Sequence, residues 1–287
     1  MGQLPDACGH HRVDDGPMST STEQPESFQI PLEAAEFYES AFVPAFFAQW
    51  APILCSAAGV TAGQRVLDVA CGTGIVARTA ADLVVPDGTV VGVDLNEAML
   101  TVARRVRPDI EFHQGNADAL PFADETFDSA LSQMALMFFP DRPNSLQEMA
   151  RVVAPGGTVA VLVPAALDAQ AAFAPFVDMA ACHAGPEALS LLSSYFACGN
   201  LDQVTGLVES AGLQITAAHT RHGTYRAPSV EAFVTTEVES TPLLERISDD
   251  VYRRIRADAH TVLAPFATAE GHVAAPFACN VVAARRP

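Results

Sequence analysis

"VLDVACGTGIVA", Val66 to Ala77, decides how this chain is read. A short apolar run ends in Asp68, the backbone turns through Gly72 and Gly74, and a second apolar run follows. Glycine has no Cβ and reaches positive φ without strain. A strand that ends in such a loop and passes into a helix brings its backbone close to a ligand.

Outward from this stretch, the sequence alternates. Arg65–Ala70 reads as a buried strand and Ile75–Val84 as a helix. Thr89–Asp94 is a second strand, launched from the Pro-Asp-Gly turn at 86–88. Asn96 caps the next helix, with Met99, Val102, Ala103 and Val106 expected on its inner face. Ile110–Gln114 and Phe127–Ser132 are the third and fourth strands. The spacing predicts a helix over Pro143–Val153, with Leu146, Met149, Ala150 and Val153 inward, and "APGG" turns it into a fifth strand at Thr158–Val163. Residues 32–58 read as helix broken at Pro44 and Pro52. Residues 164–211 are Ala-rich and helical, 213–226 a strand, 228–265 mainly helical, and "FACNVVAARR" the last strand. Strands alternating with helices mean a parallel sheet covered on both faces, an α/β fold.

Composition narrows the chemistry. The chain has 287 residues, 49% of them hydrophobic and 17% charged, enough for one well-buried domain with a sizeable cap. Sixteen basic residues face 34 acidic ones, a formal charge of −18, which repels phosphate backbones and disfavours a nucleic-acid partner. Every basic residue is Arg, so neither a Schiff-base lysine nor a P-loop lysine exists. Six scattered cysteines include no CxxC pair and read as reduced thiols of a cytoplasmic protein. No apolar run approaches the ~20 residues of a membrane span. Residues 1–27 are polar, lack the apolar core of a secretion signal, and are expected to be disordered, with Met18 an alternative start to Met1.

Three ligands compete for the glycine loop. A P-loop falls for want of Lys. A dinucleotide fits, because Gly72-Thr-Gly74-Ile-Val-Ala77 matches G-x-G-x-x-[GA] and Asp94 lies twenty residues beyond Gly74. Asp68 tips the balance. A carboxylate at the end of the first strand opposes a pyrophosphate and suits a ligand bearing ammonium or sulfonium charge. S-adenosylmethionine (SAM) carries both.

The blocks "VLDVACGTGIVAR", "VVGVDLNEAML", "QGNADALPFADETFD" and "EMARVVAPGGTVAV" lie in order across residues 65–163. Through them the chain resembles the class I SAM-dependent methyltransferases of the ubiquinone/menaquinone-methyltransferase-like superfamily. "YFACGNLDQVTGLVESAGL", "RAPSVEAFV", "STPL" and a terminal "ARR" resemble a bacterial subgroup. The resemblance implies a doubly wound, Rossmann-like seven-stranded sheet with the last strand antiparallel and helical insertions capping the active site. It divides the chain into N-terminal helices (28–60), a SAM-binding core (61–163) and the remainder with its capping insertions (164–287). It also implies roles. Asp68 meets the methionine amino group, and Cys71, Gly72, Thr73 and Gly74 pass beneath the ligand. Asp94 holds the ribose hydroxyls, Leu95 and Met99 lie against the adenine, and Asn116 and Ala117 meet its edge. Ser132 and Gln133 lie beneath the methionine part, and Tyr38 closes the site. Ala70 stands where the D-x-G-x-G-x-G form has its first glycine, and relatives often have Asp at the position of Asn116.

Each assignment has a plainer rival: Asp94 as a helix-start carboxylate, Met99 as core, Tyr38 as helix packing. Trp50, the only Trp, reads as core, and Cys71 as a small residue rather than a nucleophile. No catalytic base is assigned, since none of His113, His183, His219, His222, His260 and His272 sits in a distinguishing motif. No metal is expected, because His219 and His222 fall on opposite faces of a strand. Phe173, Phe176, Met179, Tyr195, Phe196, Phe233 and Phe266 are candidates to wall an apolar pocket, though half or more suit a core equally. The sequence therefore points to methylation of a small-molecule acceptor at oxygen or carbon, such as a quinone-like ring, a phenol or a secondary metabolite. The alternatives are an NAD-binding oxidoreductase and a non-catalytic SAM-binding regulator. The oligomeric state stays open, a homodimer included.

Overall fold

The computed structural model describes residues 30–239 and 241–287, so the expectation for residues 1–27 lies outside the described residues. The strands are β1 (Arg65–Val69), β2 (Thr89–Asp94), β3 (Glu111–Gln114), β4 (Phe127–Gln133), β5 (Val153–Pro164), β6 (Gln214–Ala227) and β7 (Val273–Arg285). They form one sheet in the order β3-β2-β1-β4-β5-β7-β6. The first five are parallel, and β7 runs antiparallel to both β5 and β6, as expected. The chain leaves β3 at one edge and re-enters beside β1 as β4. The resulting switch point is where doubly wound sheets bind ligands, at the carboxyl ends of the strands.

Helices cover both faces. On one lie α1 (Leu32–Phe37), α2 (Ala51–Ala58), α3 (Ile75–Val84) and α4 (Glu97–Val106). On the other, α5 (Arg142–Val152) packs with α8 (Leu201–Ser210), burying Leu146, Met149, Val204 and Val208. The cap adds α6 (Phe173–Ala184), α7 (Pro186–Ser193), α9 (Val230–Glu239) and α10 (Asp249–Leu263), whose apolar faces continue the first core. Two apolar clusters, one on each face, are what a sheet buried on both sides requires.

Some expectations shift. In α4 the core residues are Leu100, Val102 and Ala103, while Met99 is half-buried and Val106 is 40% exposed. The helix turns its Leu100 side to the sheet and leaves Met99 at the cleft rim. "APGG" belongs to β5 rather than to a separate turn, because the Gly156 N–H donates to Arg286 O (2.8 Å) and the Arg286 N–H to Gly157 O (2.9 Å). Pro52 opens α2 within its first turn, where its missing N–H costs nothing. The break falls earlier, at Phe46 (φ −139°), just after Pro44 and a π-helical turn over Tyr38–Phe42. Trp50 is fully buried.

Candidate active site

Parallel register brings the chemistry to one edge. Asp68 of β1 pairs with Gly92 of β2 and Leu131 of β4, and Asp94 ends β2 beside Gln114 of β3. The carboxyl ends of β1, β2 and β4 thus present Asp68, Asp94, Ser132 and Gln133 around the 70–74 loop. The loop itself is held left-handed at three points: Ala70 (φ 56°), Gly72 (φ 54°) and Gly74 (φ 85°). Ala70 keeps a conformation suited to glycine although it carries a Cβ. A Cβ on Gly74 would stand 2.9 Å from the Phe112 ring, so only glycine fits there.

Asp94 Oδ2 accepts from Gly72 N–H and Oδ1 from Asn96 N–H, both at 2.8 Å. Burial raises its carboxyl above the usual range, against the backbone N–H groups of Asn96, Gly72 and Leu95. Asp68 is 1% exposed and accepts from Ala77 N–H (2.8 Å), capping the start of α3, where Gly74 offers no side chain. Burial pushes it up to about 7; the Ala77 N–H and Arg78 oppose this, while the Asp94 charge adds to it. Two adjacent carboxylates without a buried cation form a site that favours a cationic ligand.

Tyr38 lies over the loop, its ring 4.0 Å from where a Gly72 Cβ would be. Burial and then the charges of Asp94, Glu39 and Asp68 raise its phenol, so it stays protonated as a donor. The partly buried Glu39–Arg78 pair (2.8 Å) anchors the Tyr38 segment to α3. Cys71 is buried, and burial with the Asp68 and Asp94 charges holds its thiol well above the ordinary value, so it stays protonated. Leu95, 48% exposed, and half-buried Met99 line the mouth. Asn116 is exposed, its Oδ1 accepting from Asp118 N–H (3.1 Å), with half-buried Ala117 beside it.

Three buried polar atoms in this cradle have no protein partner: Thr73 Oγ1, Ser132 Oγ and Gln133 Oε1. Buried polar groups are ordinarily satisfied, so orphans gathered at strand ends fit a polar ligand. The donor set, two carboxylates and three uncharged polar groups, fits the ammonium, ribose and sulfonium of SAM.

Sequence reasoning missed several neighbours. Gln133 Nε2 donates to Phe47 O (3.1 Å), locking the N-terminal helices to β4. Met134, after β4, has φ 54° and receives the Tyr195 hydroxyl at its Sδ (3.1 Å). The Glu39–Arg78 bridge joins two segments that lie far apart in the chain. The histidines disperse instead: His113, His183 and His260 pair with Glu111, Asp258 and Glu231, each at 2.7 Å. Phe173, Phe176, Phe196 and Phe233 are buried core, whereas Met179, Tyr195 and Phe266 are partly open.

Residues 67–161 match the family model described as "Methyltransferase domain". A demethylmenaquinone methyltransferase of Renibacterium salmoninarum is 42% identical over 113 residues, 39% of this chain and 46% of that protein. A ubiquinone/menaquinone biosynthesis C-methyltransferase of Hahella chejuensis is 42% identical over 119 residues, 39% of this chain and 48% of that protein. The chain thus spans about half the length of the curated relatives it matches. The crystal structure of a putative methyltransferase from Bacillus halodurans superposes with a TM-score of 0.58 at 23% identity, covering 83% of this chain and 98% of that one. The sheet order, the glycine loop and these matches define a class I SAM-dependent methyltransferase, with SAM as its cofactor. Among the described residues no single helix is long and apolar enough to cross a membrane.

Proposed function

We propose that the protein moves a methyl group from SAM to oxygen or carbon of a small, apolar ring acceptor of quinol or phenol type. The observation that carries this reading is the pair of carboxylates, buried Asp68 and half-buried Asp94, flanking a left-handed glycine loop with orphaned Thr73, Ser132 and Gln133 beside them. When bound, SAM supplies a methyl already activated on a sulfonium. Asp68 orients the ammonium end, and Asp94 accepts from the ribose hydroxyls. The backbone from Ala70 to Gly74 lies beneath the ligand. Leu95 and Met99 flank the adenine, and Asn116 and Ala117 meet its edge. Ser132 and Gln133 turn their orphaned oxygens toward the methionine part, and Tyr38 closes the site against water. Positioning and water exclusion then supply much of the rate. The −18 charge and the names of the Renibacterium and Hahella relatives support a small acceptor over nucleic acid.

Calorimetry tests the cofactor: SAM and S-adenosylhomocysteine bind, and NAD does not. Tight NAD binding without SAM binding would place the protein among oxidoreductases. Labelled SAM incubated with metabolite extract, total protein and total RNA tests the acceptor. Label is expected in an organic-soluble product; label confined to protein or RNA rejects a small acceptor.

A further inference from the structure

β6 ends the sheet on one side, and part of its outer edge is open. Two of its pairs with β7 show which backbone groups face outward. Thr224 pairs with Pro276, which has no N–H to exchange. His222 pairs with Ala278, whose N–H donates to Gln170 Oε1 (3.0 Å) and whose C=O accepts from Ala165 N–H (2.9 Å), both away from β6. In an antiparallel ladder the residues of such pairs turn their own N–H and C=O away from the neighbouring strand. At Thr224 the Gln49 amide takes both groups: Gln49 Nε2 donates to Thr224 O (2.8 Å), and Thr224 N–H donates to Gln49 Oε1 (3.0 Å). The same alternation turns the backbone groups of His222, Thr220 and Ala218 outward. All three residues are exposed, and among the described residues nothing pairs with those groups.

A groove runs beside this open stretch. The intervening side chains of β6 face the N-terminal helices: a Cβ on Gly223 would meet the Trp50 ring and Gln49, and Tyr225 packs on Phe46 (5.3 Å). Further along the same face stand Ala217, His219 and Arg221, opposite Pro52, Ile53 and Ala57 on the flank of α2. The cavity between them is about 620 Å³, apolar on the helix side and cationic on the strand side. Among the described residues, Arg221 and Arg226, both on β6, are the arginines without a carboxylate, carbonyl or ring partner. In a chain with 34 acidic residues and 16 basic ones, Arg221 is thus kept away from the chain's own acids. Burial, and next the Arg221 charge, lower the His219 imidazole below its usual value, so Arg221 is the fixed charge of the groove.

We propose that the open edge of β6 and the groove beside it dock an extended acidic segment of a partner protein, added to the sheet as a further strand. Strand addition draws affinity from the main chain and specificity from alternate side chains. The segment's backbone pairs with Ala218, Thr220 and His222, and Gln49 at Thr224 ends the stretch open to it. Every second side chain enters the groove, where a carboxylate meets Arg221 and an apolar group meets Pro52, Ile53 and Ala57. A second copy of this chain suits the edge less well. Two-fold pairing of β6 with itself stacks the cationic edge on its own image and brings together two chains of charge −18. A short segment with two carboxylates senses mainly the groove, because at 0.15 M salt charges beyond about 8 Å are largely screened. The site shares no residue with the cofactor cradle.

The test uses the full chain in about 0.15 M salt and the blocked peptide acetyl-Thr-Glu-Thr-Val-Thr-Glu-Thr-amide, whose groove side reads the same in either direction. Hydrogen exchange followed by NMR reads the edge directly. Saturating peptide is expected to slow exchange at the Ala218, Thr220 and His222 amides by about tenfold or more, while His219 and Arg221, already bonded to β7, stay within about twofold. The same peptide with Lys in place of both Glu should bind about tenfold more weakly, and Arg221→Glu should reverse that preference. Ala218→Pro removes one outward N–H and leaves the ladder to β7 whole, so it should weaken binding by about tenfold or more with the remaining amide spectrum unchanged. Absence of binding, binding without protection of the edge amides, or binding that survives Ala218→Pro overturns the proposal. So does protection that arises without peptide as protein concentration is raised, which would give the edge to a second copy. Should Ala218→Pro fail to fold, the wild-type protection pattern and the Arg221→Glu reversal decide by themselves.

Discussion

At the scale of the residue, Asp68 carries opposing demands. Burial pushes its folded carboxyl up to about 7, above an unfolded value of about 4. The native state therefore binds the extra proton, and the stability it contributes is present below about pH 4 and is lost as pH rises to about 7. Asp68→Asn keeps an acceptor for Ala77 N–H without the charge. In urea titrations the variant is expected to be more stable than the wild type at about pH 8 and equal to it near pH 4. Calorimetry is expected to show SAM binding weakened by roughly 1.5–3 kcal/mol, the scale of a hydrogen bond to a charged group. Wild-type SAM affinity should fall as pH drops below about 7, because only the ionised carboxylate attracts the ammonium. Asp94→Ala should weaken SAM by roughly 1–3 kcal/mol through lost ribose hydrogen bonds. Ala70 is a third case. Its φ of 56° strains an L-residue, so Ala70→Gly should raise stability by about 1 kcal/mol or less, strain relief being partly offset by glycine's unfolded-state entropy. A loss of stability would mean that the loop does not hold Ala70 left-handed in solution.

At the scale of the element, the N-terminal helices behave as a strap over the cleft. Glu39–Arg78, Arg105–Glu36 (2.6 Å) and Gln133–Phe47 hold them to α3, α4 and β4. Glu39→Gln should cost about 1 kcal/mol or less of global stability, as a single partly exposed ion pair does. It should also make Tyr38 more accessible, so that SAM dissociates faster in stopped-flow displacement while the melting temperature barely moves. An unchanged off-rate would remove the strap from the site. The core elements were legible from their own residues. Ile75–Val84 begins and ends where its apolar periodicity does, and Asn96 caps α4 through bonds to Ala98 and Met99 N–H. The face of α4 was not legible, because Met99 and Leu100 are equally apolar and only the sheet beneath selects Leu100. Nor was the break at Phe46, which a proline on each side frames without locating.

At the scale of the whole molecule, the −18 charge is a property of the surface as a unit. Self-repulsion destabilises the compact state, so salt that screens it should raise the melting temperature between about 0.01 M and 0.2 M. A fall would mean that the arginine–carboxylate pairs outweigh the net repulsion. The same field steers anionic polymers away and leaves small neutral rings unaffected, in keeping with the proposed acceptor.

The sequence by itself determined the alternation that makes the sheet, the glycine loop, and the two carboxylates at β1 and β2, because each is written within a few neighbouring residues. The antiparallel end of the sheet was reached only through likeness to a family. Tertiary structure alone decided which distant contacts frame the cofactor cradle: Gln133 on Phe47, and Tyr195 on Met134. These pairs join segments far apart in the chain, and the sheet order and the packing of the cap bring them together. A glutamine at a strand end or a tyrosine in a cap helix shows in the sequence as a residue type alone; which carbonyl or sulfur it meets depends on how two distant elements close on each other.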